Sequence, residues 1–319
     1  MTTPAAVTAR GLSFAYGERQ ALRNIDFSVA EGSAHGFLGP NGSGKSTLFK
    51  ILSTIVPPQQ GNVSMFGIDL AQDPAAVRRR IGVVFQSPAV DKKLTVLENL
   101  RYAGRLYGMP RAELDRRSSE LLEHADLKDR SNDRTGELSG GLRRRVEICK
   151  ALLHRPALVL LDEASTGLDP AARRDMWSLL KKQTGITVLF TTHLMDEAAE
   201  ADRLTLLDGG AIVAAGTPGE LMRMVGGQVL EIEAQNPLAL AADIRAQLGV
   251  DPKVVETMLR CDGPRVHELV SKLIDRFGDR ILRVSLAHPS LADVFLHLTG
   301  KRFVVAPPEE PKKKRRRKE

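Results

Sequence analysis

The string GPNGSGKST at residues 39–47 constrains this chain more than any other stretch. Gly39, Gly44, Lys45 and Ser46 fill the spacing G-x-x-x-x-G-K-[ST]. Glycines at 39, 42 and 44 reach backbone angles that cost other residues free energy, so successive N–H groups can converge on one anion. The apolar run AHGFLG ahead of the loop reads as a buried strand, and Leu48, Ile51 and Leu52 follow at helical spacing. A helix beginning near Ser46 points its positive end at the same anion. Strand, glycine loop and helix in that order form a phosphate cradle, with Asn41, Ser43 and Thr47 filling out the loop and first turn. Lys45 can reach the β- and γ-phosphates, and the Ser46 hydroxyl can ligate Mg²⁺.

The rest of the chain suits an α/β fold. Residues 7–30 alternate apolar and polar and read as antiparallel strands turning near Gly17. Strand-like GNVSMFG and IGVVFQ follow, and residues from about 94 to 154 are helix-rich. The apolar runs ALVLL and ITVLF, the second broken only by Thr187, suit central strands of a parallel sheet covered on both faces. The glycine loop, the LLDE string at 160–163 and the TTH string ending at His193 all sit at C-terminal strand ends. That edge is where open α/β sheets bind ligands.

Apolar runs such as LVLL at 158–161 fall far short of the roughly 18–20 residues of a membrane helix. The N-terminus lacks a basic-then-apolar signal. A cytosolic chain is expected, and any role in transport must pass through a partner. Cys149 and Cys261 stand in unrelated contexts and indicate neither a disulfide nor a zinc site. Of the net charge of +7, residues 307–319 supply seven basic and three acidic groups, so the basic balance is mostly a property of the tail.

Asp162 and Glu163 end an apolar strand, a costly place for carboxylates without a task or partners. Asp162 is expected to hold Mg²⁺, as in other P-loop NTPases. The stretch ELSGGLRRRVEICKALLHRPALVLLDEASTGLDP at 137–170 resembles the core of an ABC ATPase, the motor subunit of ABC transporters. The LSGG string at 138–141 precedes LLDE as that family requires, and residues from about 7 to 218 fit in order. The resemblance implies a P-loop NTPase domain of ABC type: antiparallel β subdomain, parallel core and helical subdomain. It makes Glu163 the general base, His193 the switch histidine contacting the γ-phosphate, and Gln86 the sensor of Mg²⁺ and γ-phosphate. Tyr16 would stack on adenine; no side chain reading the base edge is evident, so the residues leave ATP and GTP both open. Ala164 and Leu142 stand where relatives have proline and glutamine, and neither change removes a needed group.

Ser139, Gly140 and Gly141 precede a helix and offer a second anion site without an obvious ligand in one chain. The resemblance supplies one: two domains pack head to tail, each lending this motif to the other's ATP. With a single P-loop and a single LSGG string, the chain then needs a homodimer or a related motor subunit. Asp169 either crosses that interface or caps a helix opened by Pro170; both readings can hold. The stretch SPAVDKKLTVLENL at 87–100 is expected to receive the membrane permease, or else to be a solvated loop and helix.

The ATPase domain is expected over 1–225, a small α+β domain over 226–303 and a disordered basic tail over 304–319. The small domain reads strand, helix, strand (VVETMLR), helix, strand and helix. Its ending, PSLADVFLHLTG, resembles motor subunits of drug exporters of the daunorubicin-resistance type. A peripheral subunit at the cytoplasmic face of the membrane follows from that likeness. A soluble ABC ATPase acting on ribosomes or DNA is the competing class. Such relatives carry two motor domains or long heptad insertions, whereas here 51 residues separate Gln86 from Leu138. Lys312 to Lys318 form a basic run that solubilises, or touches anionic lipid headgroups; no nucleic-acid partner is expected.

Overall fold

The computed structural model describes residues 4–301 and 303, apart from 256 and 264. The tail beyond 303, with its basic run, lies outside the described residues. The N-terminal part runs β1 (Ala5–Tyr16), β2 (Arg19–Ala30), β3 (Ala34–Leu38), α1 (Lys45–Leu52), β4 (Gln60–Met65), β5 (Ile68–Asp69), α2 (Pro74–Arg80) and β6 (Ile81–Val84). A helical stretch follows: α3 (Val96–Leu106), α4 (Arg111–His124) and α5 (Gly140–Leu152). The chain then returns through β7 (Leu158–Asp162), α6 (Pro170–Lys181), β8 (Thr187–Thr192), α7 (Met195–Ala198), β9 (Arg203–Asp208), β10 (Ala211–Gly216) and α8 (Pro218–Arg223). The C-terminal elements are β11 (Gln228–Ala234), α9 (Pro237–Leu248), β12 (Lys253–Val255), β13 (Met258–Gly263), α10 (His267–Phe277), β14 (Ile281–Ala287) and α11 (Leu291–Thr299).

Three sheets result. The first is antiparallel, in the order β2-β1-β4-β5, so GNVSMFG joins this sheet and not the parallel one. The second, β10-β9-β3-β8-β7-β6, is parallel from β9 to β6. Its central strands are buried along nearly their whole length because both faces are covered. On one face Phe37, Leu158 and Leu160 meet Leu48 and Ile51 of α1 and the antiparallel sheet. On the other, Val159, Leu161 and Phe190 meet α5 and α6 through Ile148, Met176 and Trp177.

The third sheet, β12-β13-β11-β14, is antiparallel and closes a core of its own around Leu230, Ile232, Leu259 and Phe277. Here the structure corrects one element: the single strand expected over 254–260 is two paired strands, β12 and β13. Glu256 and Thr257, between the two strands, include none of the Gly, Asn or Asp that mark a tight hairpin in sequence. The last helix also departs from a self-contained small domain. Leu291 and Val294 of α11 are buried with Leu221 and Val225 at the end of the main core. Arg260 of β13 pairs with the buried Asp293 of α11 and lies 2.8 Å from Glu231, so α11 ties the third sheet to α8.

Candidate nucleotide site

The loop between β3 and α1 is built around its glycines. Gly44 is the N-cap of α1 at φ +106°, where a Cβ would lie 2.7 Å from the Ala21 carbonyl oxygen. A Cβ on Gly39 would lie 2.5 Å from the Leu207 carbonyl. No side chain caps α1, which leaves its first N–H groups for another acceptor. Asn41, Gly42 and Ser46 are exposed at the rim, while Ser43 and Thr47 are buried. The Ser43 Oγ has no hydrogen-bond partner among the described residues.

Lys45 is 3% exposed, and its Nζ donates to the carbonyls of Gly39 at 2.8 Å and Pro40 at 3.1 Å. It also lies 3.3 Å from Glu163 Oε1. Burial lowers the pKa of this ammonium, and the Glu163 charge works against that shift.

Glu163 follows β7 with φ +44°, a left-handed angle rare outside glycine. Its N–H is held by the Thr191 carbonyl and by Thr191 Oγ1, each at 3.1 Å. Oε2 accepts from Gln86 Nε2 at 3.2 Å, and His193 Nδ1 sits 3.2 Å away, off hydrogen-bond geometry. Burial alone would raise the Glu163 pKa; the contacts with His193 and Lys45 outweigh it and hold the carboxyl below its usual range. Asp162 is pushed the other way, mainly by burial, although its Oδ1 accepts from Thr191 Oγ1 at 2.6 Å. Lys45, Gln86, Glu163 and His193, far apart in sequence, therefore meet around one carboxylate. Thr191, which sequence reasoning left without a role, spans both acids. Its position in the TTH string at a strand end was the only available signal.

The other expected residues lie elsewhere. Tyr16 ends β1, is 46% exposed and meets Phe14 edge-on at 5.0 Å. Its strand partner Arg19 reaches toward the loop, 3.8 Å from where a Cβ on Gly42 would sit. Ser139 and Gly140 are exposed, and the Ser139 hydroxyl accepts from Leu142 N at 3.3 Å to cap α5. Among the described residues no hydrogen bond joins Ser139–Gly141 to residues 39–47. Asp169 caps α6 through Ala171 and Ala172 N–H, both at 2.9 Å. The bond from Ala172 leads in holding its carboxyl below the usual range.

A family profile described as "ABC transporter" matches residues 22–166. A daunorubicin resistance ATP-binding protein of Streptomyces coeruleorubidus is 40% identical over 93% of this chain and 96% of its own length. The Nod factor export ATP-binding protein I of a Rhizobium species is 37% identical over 93% and 97%. The chain is an ATP-binding subunit of the ABC transporter family. Among solved structures, a dimeric ATP-binding cassette in a post-hydrolysis state, bound to ADP and Pi, is 30% identical with a TM-score of 0.60. That match covers 66% of this subunit and 98% of the cassette. As an ABC ATPase the subunit couples hydrolysis to transport, and among its described residues no helix is long and apolar enough to cross a membrane.

Proposed function

We propose that two copies of this subunit, or one copy and a related chain, bind ATP at two composite sites and drive export through a separate membrane permease. The gathering of Lys45, Gln86 and His193 around Glu163 is the observation that carries the reading. A carboxylate kept ionised and aimed by two neighbours suits a general base that takes a proton from the attacking water. Lys45 exchanges its loop carbonyls for the β- and γ-phosphates, alongside the uncapped N–H groups of α1. Ser46, Asp162 and Gln86 would hold Mg²⁺, which neutralises phosphate charge when bound. The donor set fits a hard cation: the Asp162 carboxylate is oriented by Thr191, and Ser46 and Gln86 add neutral oxygen donors. Tyr16 stacks on the base, beside the loop that holds the phosphates.

Ser139, Gly140 and Gly141 serve the partner's nucleotide. The dimeric cassette supports this, as does the exposure of a glycine helix start whose own cap takes only the Leu142 N–H. Asp169, exposed at the start of α6, crosses the same interface while capping its helix.

The permease docks beside Gln86. A groove of about 670 Å³ lies there, lined by Arg78, Phe85, Ala103, Leu106 and Tyr107. Leu106 is 75% exposed, an apolar side chain that a partner would cover. The groove is lined by Phe85 and residues outside the stretch 87–100, so that stretch would supply a further part of the docking surface and not the groove itself. Export follows from relatives whose names state drug resistance and export over nearly the whole chain. The subunit then sits peripherally at the cytoplasmic face.

Glu163→Gln tests both halves of the reading. Phosphate release should fall by about 10²–10⁴-fold, the usual worth of a general base, while ATP and Mg²⁺ trap a dimer on size exclusion. A co-purifying polytopic membrane protein from solubilised membranes would support the permease. A variant that stays monomeric with ATP, or that hydrolyses at the original rate, would refute the assignment of Glu163.

A further inference from the structure

Arg144 and Glu147 are charged residues one helical turn apart on α5, 5% and 4% exposed. Beyond their pairing at 2.7 Å, the hydrogen bonds that the two side chains make go to one segment. Arg144 Nη1 donates to the Phe85 carbonyl at 2.7 Å, and Nη2 donates to the Gln86 carbonyl at 2.9 Å. Glu147 accepts from the Ala89 N–H. Lys150, a further turn along, donates to the Ala89 carbonyl at 2.6 Å. Four main-chain groups of residues 85–89 are therefore held from one face of α5, on both sides of Gln86.

The same helix starts at Gly140, capped by Ser139. Arg144 lies five residues beyond Ser139, roughly 7.5 Å at the rise of an α-helix. At its other end the segment presents the Gln86 amide to Glu163 at 3.2 Å. A buried ion pair is a poor device for stability, since apolar residues of similar size often do as well or better. The adjacent interior positions of α5, Val146 and Ile148, are apolar. A bidentate guanidinium aimed at two carbonyls offers directional hold that apolar contact lacks.

We propose that Arg144 and Glu147 are positioning residues for Gln86, clamping its main chain so that the Ser139–Gly141 helix start and the Gln86 amide move as one body. The inference rests on the composite-site reading: contact of Ser139–Gly141 with the partner's nucleotide is then felt at this chain's own Glu163. Neither residue touches nucleotide. Their loss should slow the chemical step and spare binding.

The test uses the full-length protein. The double variant Arg144→Met/Glu147→Leu removes both charges together and leaves neither buried alone. Its kcat for phosphate release should fall by about ten- to a hundredfold, the scale of a small misplacement at a reacting centre. ATP affinity by calorimetry, the melting temperature and ATP-driven dimerisation in a Glu163→Gln background should stay close to wild type. Arg144→Lys, which reaches one carbonyl but not both, should recover part of the rate. Unchanged kcat in both variants overturns the clamp and leaves the composite sites standing. A fall in kcat accompanied by lost affinity or melting makes the pair merely structural and also overturns it. If the Glu163→Gln protein itself fails to dimerise with ATP, the underlying reading falls, and the inference with it.

Discussion

Two glycine-rich helix starts in this molecule use the same local device and meet opposite surroundings. At Gly44 the start of α1 is enclosed: a Cβ would strike the Ala21 main chain at 2.7 Å, and the acids at the end of β7 stand opposite. At Gly140 the start of α5 is open, and a Cβ would meet nothing within 4 Å. The first lacks a side-chain cap, whereas the second is capped by its own serine. An anion at the first would be surrounded by this chain; an anion at the second must be brought by something else. A helix dipole and a glycine pair thus make an anion site only when the fold, or a second chain, completes them.

Perturbing each start separately tests the contrast. Ser139→Arg should give the largest separation: turnover should fall by about 10²–10³-fold, as when one preorganised donor is lost, while the isolated chain keeps its ATP affinity. Loss of that affinity in a monomer would show the open start serving its own chain. Lys45→Ala should do the reverse, weakening nucleotide binding by about ten- to a hundredfold, the 1.5–3 kcal/mol of a charged hydrogen bond. Unchanged affinity in a calorimetric titration would remove Lys45 from the phosphate cradle.

A smaller effect compares the two glycines. Gly44→Ala should lower unfolding free energy by about 1–3 kcal/mol, because φ +106° and the close main chain both oppose a Cβ. Gly140→Ala, in open space on a helix, should change it by under about 1 kcal/mol in either direction. Chemical denaturation of the pair measures this, and equal losses would erase the contrast.

The smallest effect should touch both starts alike. His35, on the strand leading into the first loop, is buried beside Thr205, and its pKa falls to about 4, first from burial and then from Arg203. A folded pKa below the unfolded value means the unfolded chain takes up the proton first as pH drops. Stability is therefore whole above pH 6.5 and is lost progressively toward pH 4. Between pH 7 and 5.5 the loss should be on the order of 1 kcal/mol, and His35→Gln should flatten it. A slope unchanged in the variant would assign the acid sensitivity to another group.

Much of this was legible in the residues. The spacing of Gly39, Gly44, Lys45 and Ser46, the strand ends at Glu163 and His193, and the apolar stretches within β7 and β8 are local patterns, and the fold follows them. The split of β12 from β13 was not legible, because Glu256 and Thr257 make a polar break of only two residues, with no Gly, Asn or Asp to mark a hairpin. The burial of α11 against α8 was equally hidden, since Leu291 and Val294 read as apolar whichever core receives them.

Most of the elements, and the side chains that carry charge to the C-terminal edge of the parallel sheet, follow from sequence, because helix and strand periods and glycine loops are written over a few neighbouring residues. Only the tertiary structure decided that Thr191 spans Asp162 and Glu163, that Glu163 adopts a left-handed backbone, and that Arg144 holds the carbonyls of Phe85 and Gln86. Those contacts join residues 28 to 59 positions apart. Burial, not local spacing, dictates that such polar groups find each other.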